Sequence, residues 1–255
     1  MKTSFIYIFI FISFLIVSEE EHAIKIYIAS EIVTLNTKND EVEAVAVQNS
    51  KIIDVGSAEK LSTSYPDADV VLDYQDHVII PGFIEHHIHP FLAAVTMNSE
   101  IIAIDDWVLQ EKVSKGVKNR EDYLNRLSEV EASYPSDQPL VSWGFHHYFH
   151  GRLTKNDLDN ISTIRPIIVV HRSFHEFILN TPAMKLLGIS RNAFPGLEEE
   201  KHLANFEEGH FSERGAIVVL PNLMTVLAAP KKLMLGLQKT KDYIHGNGIT
   251  IIGNP

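Results

Sequence analysis

The sequence predicts an α/β protein: a small β unit over residues 19–76, followed by parallel βα units over residues 77–255. Three observations carry this. Between Ile24 and Leu72, short apolar runs are separated by turn-forming residues. From about His77, apolar strands alternate with stretches of helical periodicity, which is the pattern of parallel βα units. Histidines fall directly after the strands of this second region, all at the same end.

In the β unit the expected strands are 24–28, 32–35, 42–47, 52–55 and 70–72, with Gln48-Asn49-Ser50-Lys51 as a hairpin turn. The second region opens with a strand over 78–84. A helix over 120–132 follows, capped by Asn119 with Asp122 three residues on. Next come a strand over 140–143, a short helical stretch capped by Thr154, and a strand over 166–170. The following helix takes Thr181 as its cap, Pro182 in its first turn and Gly188 as its stop. Pro230 opens a helix whose Leu233, Leu237, Thr240 and Ile244 share one face, and Gly246 and Gly248 close it before a strand over 249–252.

Composition excludes several classes. With 255 residues, 45% hydrophobic and 22% charged, the chain fits neither a disordered protein nor a polytopic membrane protein. Its net charge of −11 and the lack of any Lys/Arg-rich run argue against nucleic acid as a partner, because phosphate binding needs a basic footprint. Zero cysteines remove disulfides, thiolate ligands and thiol nucleophiles. Residues 1–18 read as a secretory signal: Lys2, an apolar run over 5–17, then Glu19-Glu20-Glu21. The expectation is an exported protein, held at a membrane only if this segment stays uncleaved as an anchor.

The histidines give the chemistry. His87 and His89 follow the first strand of the second region, His146, His147 and His150 the second, and His171 and His175 the third. In a parallel βα barrel all strand C-termini open on the face that carries the reaction. If strand geometry persists past Ile84, residues two apart point the same way, so His87 and His89 offer imidazole nitrogens to one metal at about 2.0–2.1 Å. His146, Arg172 and His175 are candidates for the substrate pocket, with the Arg172 guanidinium suited to a carboxylate or carbonyl. Glu207, Glu208, His210 and Glu213 read first as a solvated acidic face and alternatively as a loop reaching the mouth. Ser173 between two histidines mimics a nucleophile beside its base, but no strand-turn-helix elbow precedes it.

Three segments carry a family resemblance: Ile32-Val33-Thr34-Leu35, the stretch from Ala44 to Gly56, and Val78-Ile79-Ile80-Pro81-Gly82-Phe83-Ile84-Glu85-His86-His87-Ile88-His89. They resemble the start of metal-dependent amidohydrolases. Trp143-Gly144-Phe145, His171-Arg172-Ser173-Phe174-His175 and Glu208-Gly209-His210-Phe211 look like the branch called amidohydrolase family 3, which includes N-substituted formamide deformylases. The resemblance implies the N-terminal part of a (β/α)8 TIM barrel with a small flanking β-sandwich. It implies a divalent metal, zinc in type, with His87 and His89 as ligands, and hydrolysis of non-peptide carbon–nitrogen bonds in a small-molecule substrate by metal-activated water.

Two departures qualify the transfer. Glu85 stands where the family usually has Asp, which alters the support behind the ligand histidines. The family's later ligands and its proton-relay aspartate have no counterpart before Pro255, and Asn254 is a poor substitute for the fourth-strand ligand. The expectation is therefore an incomplete fragment, by truncation or an incomplete gene model, inactive by itself. The alternatives are another reaction of the superfamily, cyclic amide hydrolysis or deamination, and a non-catalytic secreted metal-binding fragment.

Overall fold

A computed structural model describes residues 23–37, 42–197 and 202–255, so the expected signal segment lies outside the described residues. These residues form two compact units divided after Pro81.

The first unit is a sheet of β1 (Lys25–Ile32), β2 (Ala44–Gln48), β3 (Lys51–Gly56) and β4 (Asp69–Ile79), in the order β3-β2-β1-β4, with α1 (Ala58–Ser64) between β3 and β4. β2 and β3 make the expected hairpin, with Gln48 opposite Lys51. Asn49 and Ser50 have φ of 51° and 60°, the two left-handed positions of a type I′ turn, whose twist matches that of paired strands. β1 and β4 are parallel, a pairing that needs a crossover between them, and α1 lies in that crossover. Ile26, Ala44 and Ala46 bury one face of the sheet against Leu61 of α1, while Ala29, Ile32, Val42 and Val45 cluster on the other.

The second unit begins with β5 (Phe83–Glu85), α2 (Pro90–Met97), β6 (Glu100–Ile101) and the small hairpin of β7 (Trp107–Val108) and β8 (Val113–Ser114). It continues through α3 (Arg120–Ser133), β9 (Leu140–Phe145), α4 (His147–His150), α5 (Lys155–Ile161), β10 (Ile167–His171), β11 (Glu176–Leu179) and α6 (Thr181–Leu186). It ends with β12 (Ala204–Asn205), β13 (His210–Ser212), α7 (Arg214–Leu227), α8 (Pro230–Gly246) and β14 (Ile249–Ile252). The main sheet has the order β12-β13-β11-β10-β9-β6. β6, β9 and β10 run parallel, and β11, β13 and β12 extend the sheet antiparallel. β5 pairs in parallel with β14 in a separate two-stranded sheet.

Several expectations are corrected. The strand expected over 78–84 is divided: its first residues finish β4, and β5 starts only after Pro81, which has no N–H to give a ladder. The second region contains a further parallel strand, β6, too short to show as an apolar run. Its sheet is mixed rather than wholly parallel, because Phe174 at φ 62° turns the chain back so that β11 pairs antiparallel with β10. Among the described residues the sheets are open and no closed barrel forms. Helix α7 carries Pro221 internally, a residue that reads as a helix breaker in sequence. Asn180, not Thr181, caps α6; the Thr181 hydroxyl instead donates to Asp159 at 2.7 Å.

Packing explains why the strand ends are where the chemistry is. Every residue of β9 and of β10 is buried. Along β10, Ile167 and Val169 pack with Tyr123, Leu127 and Leu158, whereas Ile168 and Val170 pack with Val219, Leu223 and Leu227. The strand is thus sandwiched between helix layers and carries no charged side chain before its last residue, His171. Gly144 breaks the alternation of β9. Its φ of 113°, and a position where a Cβ would lie 2.8 Å from the Ile102 carbonyl oxygen, admit only glycine. The register shift there sends Trp143 to one core and Phe145 to the other.

One buried side chain ties these layers together. Asn180 is fully buried; its Oδ1 accepts the Ile167 and Ala183 N–H groups at 2.9 and 3.0 Å. Its Nδ2 donates to the Ser162 and Arg165 carbonyls at 3.0 and 2.8 Å. Truncation would strand four backbone groups, each costing about 1–3 kcal/mol when unsatisfied and buried. Asn180→Ala should therefore lower the unfolding free energy by about 3 kcal/mol or more in urea titration, and an unchanged midpoint would show that these groups find other partners.

Candidate metal and substrate site

The histidines expected at the mouth separate into three environments. His87 and His89 lie just beyond β5, with rings edge to face and centroids 5.0 Å apart. Both are exposed, and His89 stands at the N-cap position of α2, ahead of Pro90. Glu85 supports this turn by accepting the His87 N–H at 3.0 Å, so it acts on the backbone rather than on a ring. The end of β14 braces the same segment: Gly253 N–H donates to the Glu85 carbonyl at 2.7 Å, and Ile88 N–H to the Gly253 carbonyl at 3.0 Å. Two adjacent imidazoles suit a divalent ion that prefers nitrogen ligands. No third His, Asp or Glu among the described residues joins them in a group of ligand atoms within 4.8 Å.

A second group forms where β9 and β10 end. One ring nitrogen from each of His146, His147 and His171 lies within 4.8 Å of the others. His171 is 8% exposed. Its Nδ1 lies 2.7 Å from Ser173 Oγ and 3.2 Å from the Ser173 nitrogen, while its Nε2 has no partner. Ser173 thus holds an imidazole in place and, with no carboxylate on His171 Nε2, is not arranged as an activated nucleophile. Burial pushes the His171 pKa down to about 4, with the neighbouring His146, His147 and Arg172 adding to the effect against the pull of Glu176. Burial likewise lowers the His146 pKa, helped by His147 and Arg172. These rings are neutral at pH 7, which is the state that binds a cation.

Glu176 anchors the polar side of this group. Its Oε1 accepts from His210 Nε2 at 2.8 Å, and its Oε2 lies 3.7 Å from His147 Nδ1. Burial raises the Glu176 pKa, but the His210 bond and the surrounding imidazoles outweigh it and hold the carboxyl below its ordinary range. A cavity of about 560 Å³ opens here, lined among others by Phe145, His147, Arg152, Glu176, Glu208 and His210. Another, of about 580 Å³, is lined by Glu100, Lys112, Tyr134, Gln138, Lys232 and Lys239. It lies where β6 begins and just ahead of β9, away from the histidines.

The remaining candidates are spoken for locally. His150 is a core residue: its Nδ1 accepts the His146 N–H at 3.1 Å, its Nε2 lies 2.9 Å from the Val117 carbonyl oxygen, and its ring stacks on Tyr123 at 4.5 Å. Arg172 reaches Asp105 at 3.8 Å, and His175 Nδ1 lies 3.3 Å from Glu213. The acidic cluster is dispersed among partners, Glu207 with Arg191 and Glu208 with Arg152. Sequence reasoning passed over Glu176, because a single acid at the start of an unrecognised strand carries no spacing signal. Its one visible cue is position, one residue after His175.

An N-substituted formamide deformylase of Arthrobacter pascens is 28% identical over 189 residues, 72% of this chain and 33% of the relative. An exoenzymes regulatory protein, AepA, of Pectobacterium carotovorum subsp. carotovorum is 25% identical over 172 residues, 66% of this chain and 35% of the relative. The chain thus spans about a third of the length of these curated relatives. In fold it is similar to a metal-dependent hydrolase of Pyrococcus horikoshii OT3, with a TM-score of 0.66 at 14% identity, covering 90% of this chain and 42% of that one. The amidohydrolase family model matches residues 70–244, well over half of the sequence. The chain belongs to the amidohydrolase family, whose members it matches in sequence and whose metal-dependent hydrolase fold it shares.

Proposed function

We propose that the protein hydrolyses carbon–nitrogen bonds other than peptide bonds, in linear amides of the N-formylamine kind, with His87 and His89 as ligands of a divalent ion, zinc in the simplest case. The observation that carries this reading is the His87–His89 pair, two imidazoles packed edge to face directly after β5 in a chain of this family. The succession of β5, β6, β9, β10 and β14, interleaved with helices, supports the first part of a (β/α)8 barrel. Because the chain spans about a third of its curated relatives, the activity is proposed for the whole protein.

When bound, a divalent ion supplies Lewis acidity and lowers the pKa of water to about 7. The chain's own residues do the rest. The cavity beside Phe145 has the size of a small-molecule site. Glu176 Oε1 and His210 Nε2, 2.8 Å apart, hold a proton between them within reach of that cavity. Arg172 and His175, between β10 and β11, serve the acyl oxygen by exchanging their present partners Asp105 and Glu213 for it, Arg172 through its planar fork of donors.

The test is the chain joined to the remaining part of a related deformylase, assayed for formate release from an N-formylamine. His87→Ala and His89→Ala should each lower turnover about a hundredfold or more, since a ligated ion contributes several kcal/mol to the transition state. Formate release that is indifferent to both substitutions would contradict the reading, and ammonia released from an aminated ring would replace it with deamination.

A pH prediction follows from the same residues. His171 stays neutral in the fold down to about pH 4, whereas in the unfolded chain it charges near the ordinary value of 6.5. The unfolded state then binds the extra proton, so stability falls as pH drops through that interval. Glu176 adds to the loss below the ordinary glutamate range, because its folded pKa is depressed. Urea midpoints should therefore decline from pH 6.5 to 4, less steeply in His171→Asn. Equal slopes for the two proteins would show that His171 is no more buried from protons in the fold than in the unfolded chain.

A further inference from the structure

We propose that His146, His147 and His171 hold one divalent transition-metal ion at the joint end of β9 and β10, a site separate from the His87–His89 pair and independent of its role. Their ring nitrogens lie within 4.8 Å of one another, and the His87–His89 pair falls outside that group. Ligands at about 2.05 Å in a tetrahedral site sit about 3.4 Å apart, so the three rings need to close by little more than 1 Å. His147 supplies that freedom, since its side chain is 63% exposed.

His171 is the reason to expect a ligand here. Its Nε2 is buried and unpartnered on a side chain more than nine-tenths buried, an arrangement that is destabilising unless something binds it. With its proton on Nδ1 the ring donates to Ser173 Oγ at 2.7 Å and turns a free lone pair on Nε2 into the group, at the expense of the weaker 3.2 Å contact with the Ser173 N–H. A hydrogen-bonded second nitrogen is what orients and strengthens a metal-bound imidazole. Glu176 makes no hydrogen bond to His147, but its carboxylate 3.7 Å from Nδ1 places a negative charge beside the cation. His146 is the weakest of the three: its Nδ1 accepts the Tyr148 N–H at 3.2 Å, and its ring must turn to bind through Nε2. A set of imidazoles without thiolate selects zinc, cobalt, nickel or copper over magnesium or calcium.

The ions are consistent with the electrostatics of the surroundings only as dications of modest demand, because Arg172 stands nearby and Glu176 is already shared with His210. This makes the site weaker than a three-histidine centre backed by a carboxylate of its own, and sensitive to any one ligand. Its occupancy needs no residue of β5 or β14.

The experiment is cobalt(II) and zinc binding to the full 255-residue chain, by equilibrium dialysis and cobalt absorption, in the wild type and in a His87→Ala/His89→Ala background. One ion should remain bound in that background, and His171→Asn should weaken it at least tenfold. Because His171 is buried, the decisive variant is His147→Cys at the exposed ligand. The chain has no other cysteine, so a sulfur-to-cobalt charge-transfer band can arise only from coordination at that position. Absence of that band, wild-type affinity in His171→Asn, or loss of all binding in the His87→Ala/His89→Ala background would each overturn the proposal.

Discussion

The constraint on which the structure turns is the burial of β9 and β10 on both faces. A strand flanked by helix layers on either side cannot hold a charged side chain along its length without an unmet desolvation cost, and β9 tolerates in mid-strand only a group as small as the Ser142 hydroxyl. Polar chemistry is therefore displaced to the residues immediately past the strand, and parallel strands place those residues at a common end. His146 and His147 follow β9, and His171 closes β10. The same logic makes Gly144 indispensable: a residue with a Cβ there would collide with the Ile102 carbonyl and undo the register that delivers Phe145 and His146 to their places.

The hub at Asn180 supports this arrangement from the opposite end of the strand. It satisfies the first N–H of β10, the start of α6 and two carbonyls of the α5–β10 connection with one side chain. The cost of burying an amide is offset only because all four bonds are made. The start and the end of β10 are linked through the same five buried residues, so packing sets where His171 stands and its contact with Ser173 sets how its ring is turned.

Much of this was legible in sequence where local chemistry decides. The Asn119 cap, the Thr154 cap, the Asn49-Ser50 turn and the helix opened by Pro230 all depend on neighbours within a few residues, and all appear as read; the structure adds Asp157 as the reciprocal partner of Thr154. What escaped depends on partners far along the chain. β6 is two residues long and exists only because β9 lies beside it. β11 and β13 are strands because they pair with β10 and with each other, and Pro221 is tolerated inside α7 by tertiary packing of Val219 and Leu223. In the site, the His-x-His spacing was visible, whereas the meeting of His146 with His171 and the bridging place of Glu176 required the fold.

The family assignment and the strand-end histidines together make one central claim, that imidazoles at the C-terminal ends of parallel strands hold divalent metal in this protein. Anomalous diffraction from zinc-soaked crystals, recorded at the zinc edge, tests it most directly. The account predicts anomalous peaks within coordination distance of His87 and His89 and of His171 with His147. Peaks confined to the cavity lined by Lys112 and Lys232, or none within reach of these rings, would contradict it.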